Sequence, residues 1–183
     1  RRFIVPDHSS LSRIRSRLPL ELHQKVFDWV LAVIAEAGLI KGNQIGIDAS
    51  TMEANAAMRT IKRRDTGEGY RQMLQRMAEE SGLENPSHED LARMDRKRKG
   101  KKVSNEDWES PSDPEAKITK LKDGRTRLAY KPEHAVDLDS GAVVATEVQP
   151  ADEGDTKTLD KTLNSTKNNL SGVGKAPITT DPT

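Results

Sequence analysis

The sequence predicts a mixed α/β protein, most simply of the α+β class. Three observations favour this class. Apolar side chains recur at helical spacing over residues 7–37. A short β-branched stretch, residues 44–48, ends at Asp48, and residues 128–148 alternate with a period of two around a turn. Helices therefore come first, a short strand follows, and a β-hairpin comes later.

The N-terminal region is predicted to contain two helices. Asp7, Ser9 or Ser10 can cap a first helix that ends near Arg17. A second helix is expected over residues 20–37, because its apolar positions fall on one stripe. We expect this stripe to pack against the rest of the domain; its members are Leu22, Val26, Trp29, Val30, Val33 and Ile34.

Residues 62–115 are predicted to be a helical insertion. One helix is expected over residues 70–80, and another after Ser87, which an acidic first turn follows. The end of the segment is polar and rich in turn residues, so we expect loose packing and partial disorder. Seven basic side chains lie within ten residues, namely Arg93, Arg96, Lys97, Arg98, Lys99, Lys101 and Lys102. This basic run suits contact with DNA phosphates; a solvated loop is the alternative.

A β-hairpin and a helix are predicted after the insertion. Residues 139–141 supply the turn, the return strand covers residues 142–148, and a helix is expected over residues 157–170. With the strand before Asp48, the hairpin gives a sheet of three strands. One face of the first hairpin strand is expected to be apolar, with Leu128, Tyr130, Pro132, His134, Val136 and Leu138.

The composition excludes several classes of protein. Of 183 residues, 33% are hydrophobic and 3% aromatic, which is little for a self-sufficient core, and 32% are charged. Cysteine is absent, which excludes disulfides and thiolate metal sites. No stretch reaches the roughly 18 apolar residues of a membrane span, so we expect a cytoplasmic protein. The chain begins at Arg1 and stops at Thr183 without a closing element, so we expect a portion of a longer protein, from a broken gene or an expressed fragment.

Several long strings resemble bacterial insertion-sequence transposases of the DDE type. They are residues 7–13 (DHSSLSR), 46–57 (GIDASTMEANAA), 63–68 (RRDTGE), 113–120 (DPEAKITK) and 130–144 (YKPEHAVDLDSGAVV). The resemblance covers the chain up to about Leu170 and implies the N-terminal portion of such an enzyme. It also implies an incomplete ribonuclease-H-like fold, with the catalytic carboxylate on a short central strand. We accordingly divide the chain into an N-terminal helical region, residues 1–41, and an incomplete catalytic domain, residues 42–183.

The resemblance implies a metal-dependent enzyme that cuts the ends of its element and joins them to target DNA. Two Asp and one Glu would hold two Mg²⁺ or Mn²⁺ ions, which prefer oxygen ligands. The first Asp of that triad corresponds to Asp48. Glu53 is close enough in sequence to suggest a second carboxylate at the metal, although a surface glutamate is the simpler interpretation.

No residue corresponds to the second Asp or to the Glu of the triad. Asp137 and Asp139 belong to the predicted turn, and Asp152 and Asp155 precede a helix, as capping residues do. We therefore expect that this polypeptide does not cleave DNA by itself.

Three hypotheses remain from the sequence. The first is a transposase fragment that is inactive alone, and the second is a non-catalytic DNA-binding or regulatory protein derived from a transposase. The third is an unrelated metal-dependent nuclease with a rebuilt site. The first two predict double-stranded DNA as a partner, with self-association or pairing with a full-length transposase, and a location at the nucleoid.

Overall fold

A computed structural model of the chain describes residues 7–100 and 103–175. Within these ranges it contains five α-helices and two antiparallel sheets, which confirms the α+β class. The structure divides into two compact units. Of the described residues, unit 1 contains 7–47, 134–146 and 162–175, and unit 2 contains 48–100, 103–133 and 147–161. The predicted domain boundary after residue 41 stays a prediction.

Two helices open unit 1, as predicted. Helix α1 spans His8–Arg17, and the Asp7 carboxylate caps it by accepting the Ser9 amide N–H at 2.6 Å. Helix α2 spans Leu20–Glu36. Gly38 follows the end of the helix with a φ of +71°, a left-handed conformation that favours glycine.

The apolar stripe predicted on α2 is not the face that packs. Leu31 is 2% exposed and belongs to the core of unit 1, whereas Trp29 is 66% exposed. Leu22, Val26, Val30 and Val33 are also exposed. The packing prediction is therefore wrong for these side chains. Ile34, the last member of the predicted stripe, does pack against the core, and the other contacts come from the neighbouring residues Phe27, Leu31 and Ala35.

Seven strands follow, in two sheets. They are β1 (Ile45–Ala49), β2 (Met52–Glu53), β3 (Lys62–Arg63), β4 (Trp108–Glu109), β5 (Lys117–Lys120), β6 (Thr126–Asp137) and β7 (Val143–Pro150). In the larger sheet β6 pairs with β1, β2, β5 and β7, and β3 pairs with β4 in the smaller one. The predicted count of three strands is wrong, because the short strands β2 and β5 also pair with β6, opposite Ala129.

The insertion is packed rather than loose. Helices α3 (Tyr70–Glu80) and α4 (His88–Lys97) form where they were predicted. Their apolar faces join strand residues in the core of unit 2, which includes Met73, Leu74, Leu91, Trp108, Ile118 and Leu128. The prediction of loose packing is therefore wrong for the described residues. The apolar side chains that complete this core come from segments before and after the two helices, such as Ile61 and Trp108.

Strand β6 alternates as predicted, and Leu128, on the predicted apolar face, is buried. From Lys131 onward the strand buries the opposite face: Lys131, Glu133, Ala135 and Asp137 are buried, whereas Leu138, just after the strand, is exposed and His134 is only half-buried. The predicted orientation is wrong for this part of the strand, because the buried charged groups have partners that the alternation of apolar residues does not reveal. The last helix, α5, spans Asp155–Gly172 and begins two residues earlier than predicted.

Candidate functional site

Asp48, the predicted catalytic residue, lies in β1 and has an exposed side chain. Its Oδ1 accepts the amide N–H of Ala49 at 2.9 Å. In unit 2 the chain stays paired beyond Asp48, because the Ser50 amide donates to the Pro132 carbonyl at 3.0 Å. Among the described residues, Asp48 forms no ion pair. The carboxylate is thus held on a paired backbone and open to solvent.

The described residues do not fit a site for two cations. They contain no group of three His, Asp or Glu side chains that could hold a metal ion. A two-metal centre needs carboxylates that hold two metal ions about 3.5–4 Å apart. Glu53, the suggested second carboxylate, instead pairs with Arg127, with 2.8 Å between Oε1 and a guanidinium nitrogen. The simpler interpretation of Glu53 as a surface residue fits this geometry.

The other acidic residues considered from the sequence have structural partners. The Asp152 carboxylate accepts the Asn105 side-chain amide at 3.0 Å, and the Asp155 carboxylate lies 3.2 Å from the Lys131 ammonium. Asp139 accepts the side-chain amide of Asn43 at 3.1 Å. These contacts, each within one unit, account for the three carboxylates without a metal.

Asp137 is the most constrained of the carboxylates. Its Oδ2 accepts the amides of Lys41 and Gly42 at 2.7 and 2.8 Å, and its Oδ1 accepts those of Asp139 and Ser140 at 2.9 and 3.3 Å. Burial alone would raise the pKa of Asp137, but the four backbone donors outweigh it and lower the pKa below the ordinary value. The predicted role in the hairpin turn is confirmed, and the contact with residues 41–42 adds to it.

The predicted DNA-binding run begins on the last turns of α4. Lys97 and Lys99 are exposed, as is Arg93, which lies 3.7 Å from Asp90. The Arg96 guanidinium donates to the Ala92 carbonyl at 3.4 Å. Lys101 and Lys102 lie outside the described residues. Acidic side chains in the first turn of α4 and basic side chains in its last turn both interact favourably with the helix dipole. The basic residues at the end of α4 therefore also stabilise the helix.

Arg98 differs from the rest of the run. Its guanidinium donates to Asp95 Oδ1 at 3.2 Å and to the Tyr70 hydroxyl at 3.1 Å, and it lies 5.9 Å from the centre of the Tyr70 ring. The side chain is only 17% exposed. These contacts connect α4 to α3, so Arg98 already has a structural role. Its assignment to DNA binding stays a prediction.

A buried polar cluster in unit 2 was not predicted from the sequence. The Lys131 ammonium lies 3.2 Å from Glu133 Oε1 and donates to the Glu153 carbonyl and the Thr158 hydroxyl, both at 2.8 Å. The Thr158 hydroxyl in turn donates to Glu133. Lys131 is 7% and Glu133 is 2% exposed, so each charge depends on the other groups for its solvation.

Comparison of the chain with protein-family models, curated proteins and solved structures finds no match. None of the helices within the described ranges is both long enough and apolar enough to cross a membrane. The interpretation of the site therefore depends on the residues themselves and on the resemblance of the sequence strings.

Proposed function

We propose that the chain is part of the catalytic region of a DDE transposase, a protein of DNA transposition, and that it binds DNA but does not cleave it alone. The observation that carries the proposal is the position of Asp48. It lies exposed on a short strand that precedes a β-hairpin and a helix, the order expected for the first half of a ribonuclease-H-like fold. The string around it, residues 46–57, is among those that resemble the family.

The partners of the other carboxylates support the lack of cleavage. Asp137, Asp152 and Asp155 are engaged by backbone amides, by an asparagine side chain and by a lysine. These contacts give each of the three carboxylates a structural role that does not involve a metal ion. In the proposed function Asp48 is one member of a metal centre that needs further carboxylates, so a polypeptide with these residues alone lacks the ligands for catalysis.

Plasmid nicking is the first test. The wild-type chain, Asp48→Asn and the exposed control Asp139→Asn would be incubated with supercoiled plasmid in Mg²⁺ and, separately, in Mn²⁺. We expect no nicking from any of the three. Binding of duplex DNA, measured by gel shift, should be equal in all three and weaken by about tenfold or more between 50 and 200 mM salt, because the contacts are to phosphates.

The contrary outcomes are distinct. Metal-dependent nicking that Asp48→Asn abolishes and Asp139→Asn retains would show that another carboxylate completes the site, and it would favour the nuclease hypothesis. Absence of DNA binding at low salt would contradict the proposal as a whole.

A further inference from the structure

Unit 2 contains an open cleft that has no part in the site around Asp48. It has a volume of about 860 Å³ and is lined by residues 53–60, 112 and 125–128, and we name it the arginine cleft. This volume lies in the range of ligand-binding clefts, roughly 300–1,000 Å³. Asp48 does not line it.

Both walls of the arginine cleft are anchored. One wall is the loop after β2, which is held at its two ends by the core residues Ala54 and Ile61. Inside this loop the Thr60 hydroxyl donates to the Ala57 carbonyl at 2.8 Å. The other wall is the start of β6, where the Leu121 amide donates to the Arg125 carbonyl at 2.8 Å and closes a tight turn. The cleft is therefore formed by the fold and does not need a ligand to shape it.

The charges of the arginine cleft favour an anion. Three arginines line it, Arg59, Arg125 and Arg127, against a single acidic residue, Glu53. Glu53 contacts Arg127 through one oxygen, at 2.8 Å. Arg125 lies 3.8 Å from Asp123, in an exposed pair that contributes little to stability. Arg59 has no ion pair or hydrogen bond from its side chain to another described residue. Arg59 can thus bind a ligand without giving up a contact with a described residue, and Arg125 would give up only an exposed pair.

The groups around the arginines indicate the chemical class of the anion. Guanidinium forks match the oxygens of phosphate, with two parallel hydrogen bonds. Asn55, Thr60 and Thr126 add neutral donors and acceptors, whereas Met58 and Leu128 give the cleft an apolar part. A phosphate joined to a sugar and a base combines these requirements, because charged oxygens are followed by polar groups and by the apolar face of the base.

We infer that the arginine cleft binds the phosphate groups of a DNA strand, through Arg59 and Arg125. The phosphate chemistry follows from the cleft itself, and the choice of DNA as its source rests on the proposed function. The cleft would be a second DNA contact, separate from the basic run on α4. The sequence does not reveal it, because Arg59 and Arg125 lie 66 positions apart in the chain and only the fold brings them to one cleft.

The test compares Arg59→Ala/Arg125→Ala with a charge-matched control, Lys62→Ala/Arg71→Ala, which removes two exposed cations of unit 2 outside the cleft. A third variant, Arg96→Ala/Lys97→Ala/Lys99→Ala, removes three cations of the basic run. Affinity for duplex DNA would be measured over a range of salt concentrations. We expect the cleft variant to bind duplex DNA about tenfold more weakly at low salt. The slope of log K against log salt should become shallower by roughly two, because each lost phosphate contact changes it by about 0.9. In the control variant, both the loss of affinity and the change of slope should be less than half as large.

Amide NMR shifts locate the ligand and identify its source. Duplex DNA and, separately, inorganic pyrophosphate would be added to the wild-type chain. The expected result is that DNA shifts the amides of residues 54–60 and 125–128, and that the cleft variant loses these shifts while its other amide signals keep their dispersion. Arg59→Lys/Arg125→Lys, which keeps the charge without the fork, should bind with intermediate affinity.

Four results would contradict the inference in different ways. Unchanged DNA binding by the cleft variant, with loss in the basic-run variant, would overturn the inference and leave the proposed function intact. Equal losses in the cleft variant and the control would overturn it too, because the effect would be one of net charge. Shifts with pyrophosphate but no binding of DNA would keep the phosphate site and contradict both DNA as its source and the proposed function. If neither duplex DNA nor pyrophosphate shifts the amides of residues 54–60 and 125–128, the cleft is not a phosphate site at all.

Discussion

Lys131 and Glu133 are buried as an ion pair in unit 2, and both must be solvated by protein groups. The Glu153 carbonyl and the Thr158 hydroxyl complete this solvation at 2.8 Å from the Lys131 ammonium. Removal of the Lys131 charge leaves Glu133 buried without its countercharge, which costs more than the pair contributes when it is intact. The stability of this part of β6 therefore depends on both charges being present together.

Substitution of Lys131 tests this dependence. Lys131→Met should lower the free energy of unfolding by about 3–5 kcal/mol, because Glu133 loses its countercharge, and Lys131→Met/Glu133→Leu should recover most of the loss. The control is Lys161→Met, which breaks a more exposed pair with Glu147 and should cost less than about 1 kcal/mol. Urea unfolding followed by circular dichroism measures all three. Equal losses for Lys131→Met and Lys161→Met would show that burial does not govern the pair.

The burial and the contacts of single side chains are only partly predictable from the sequence. The alternation of β6 is visible in the sequence, but from Lys131 onward the apolar side chains suggested the wrong buried face, because Thr158 and Glu153 lie more than twenty positions away from Lys131. Asp137 is an intermediate case. Its contacts with the next turn follow from local sequence, whereas its contacts with Lys41 and Gly42 depend on the fold.

Helix α2 illustrates the same limit for a whole element. Its bounds followed from helical periodicity and a terminal glycine, both of which are local properties. Two apolar stripes lie side by side on it, and periodicity does not distinguish the stripe that is covered. The structure buries Leu31 and leaves Trp29 and Val30 exposed. Choice between the stripes depends on tertiary contacts, which a single sequence does not display.

Truncation of each stripe of α2 gives a direct comparison. Leu31→Ala should lower the free energy of unfolding by about 2–4 kcal/mol, because it opens a cavity in the core of unit 1. Val30→Ala should cost less than about 1 kcal/mol, since that side chain is 43% exposed. Thermal and urea unfolding would measure the difference. A larger loss for Val30→Ala would mean that the exposed stripe is covered in solution.

The described part of the molecule has two hydrophobic cores, one within each unit. The core of unit 2 includes Leu128, and the core of unit 1 includes Leu170. The sequence indicated the order of helices, strand, insertion, hairpin and helix, and this order is confirmed. It did not indicate two cores, because the residues of each come from distant segments and the low apolar content suggested a single thin one.

Separate cores predict separate local unfolding, which hydrogen exchange can resolve. Leu128→Ala should speed amide exchange mainly in α3 and α4, and Leu170→Ala mainly in α2 and residues 142–146. The half-exposed Leu159→Ala serves as a control and should change neither region. Uniform acceleration of the whole chain by both core variants would show that the two units unfold as one.

The two tryptophans give each unit its own optical signal. Trp29, in unit 1, is 66% exposed, whereas Trp108, in unit 2, is 4% exposed and lies 5.7 Å from the Tyr70 ring and 5.8 Å from the Arg63 guanidinium. The Trp29 indole is therefore accessible to the quencher acrylamide and emits at long wavelength. The Trp108 indole is shielded from the quencher, and its emission is shifted to the blue. Replacing one indole at a time by phenylalanine leaves a chain in which light emission reports on a single unit, without an added dye.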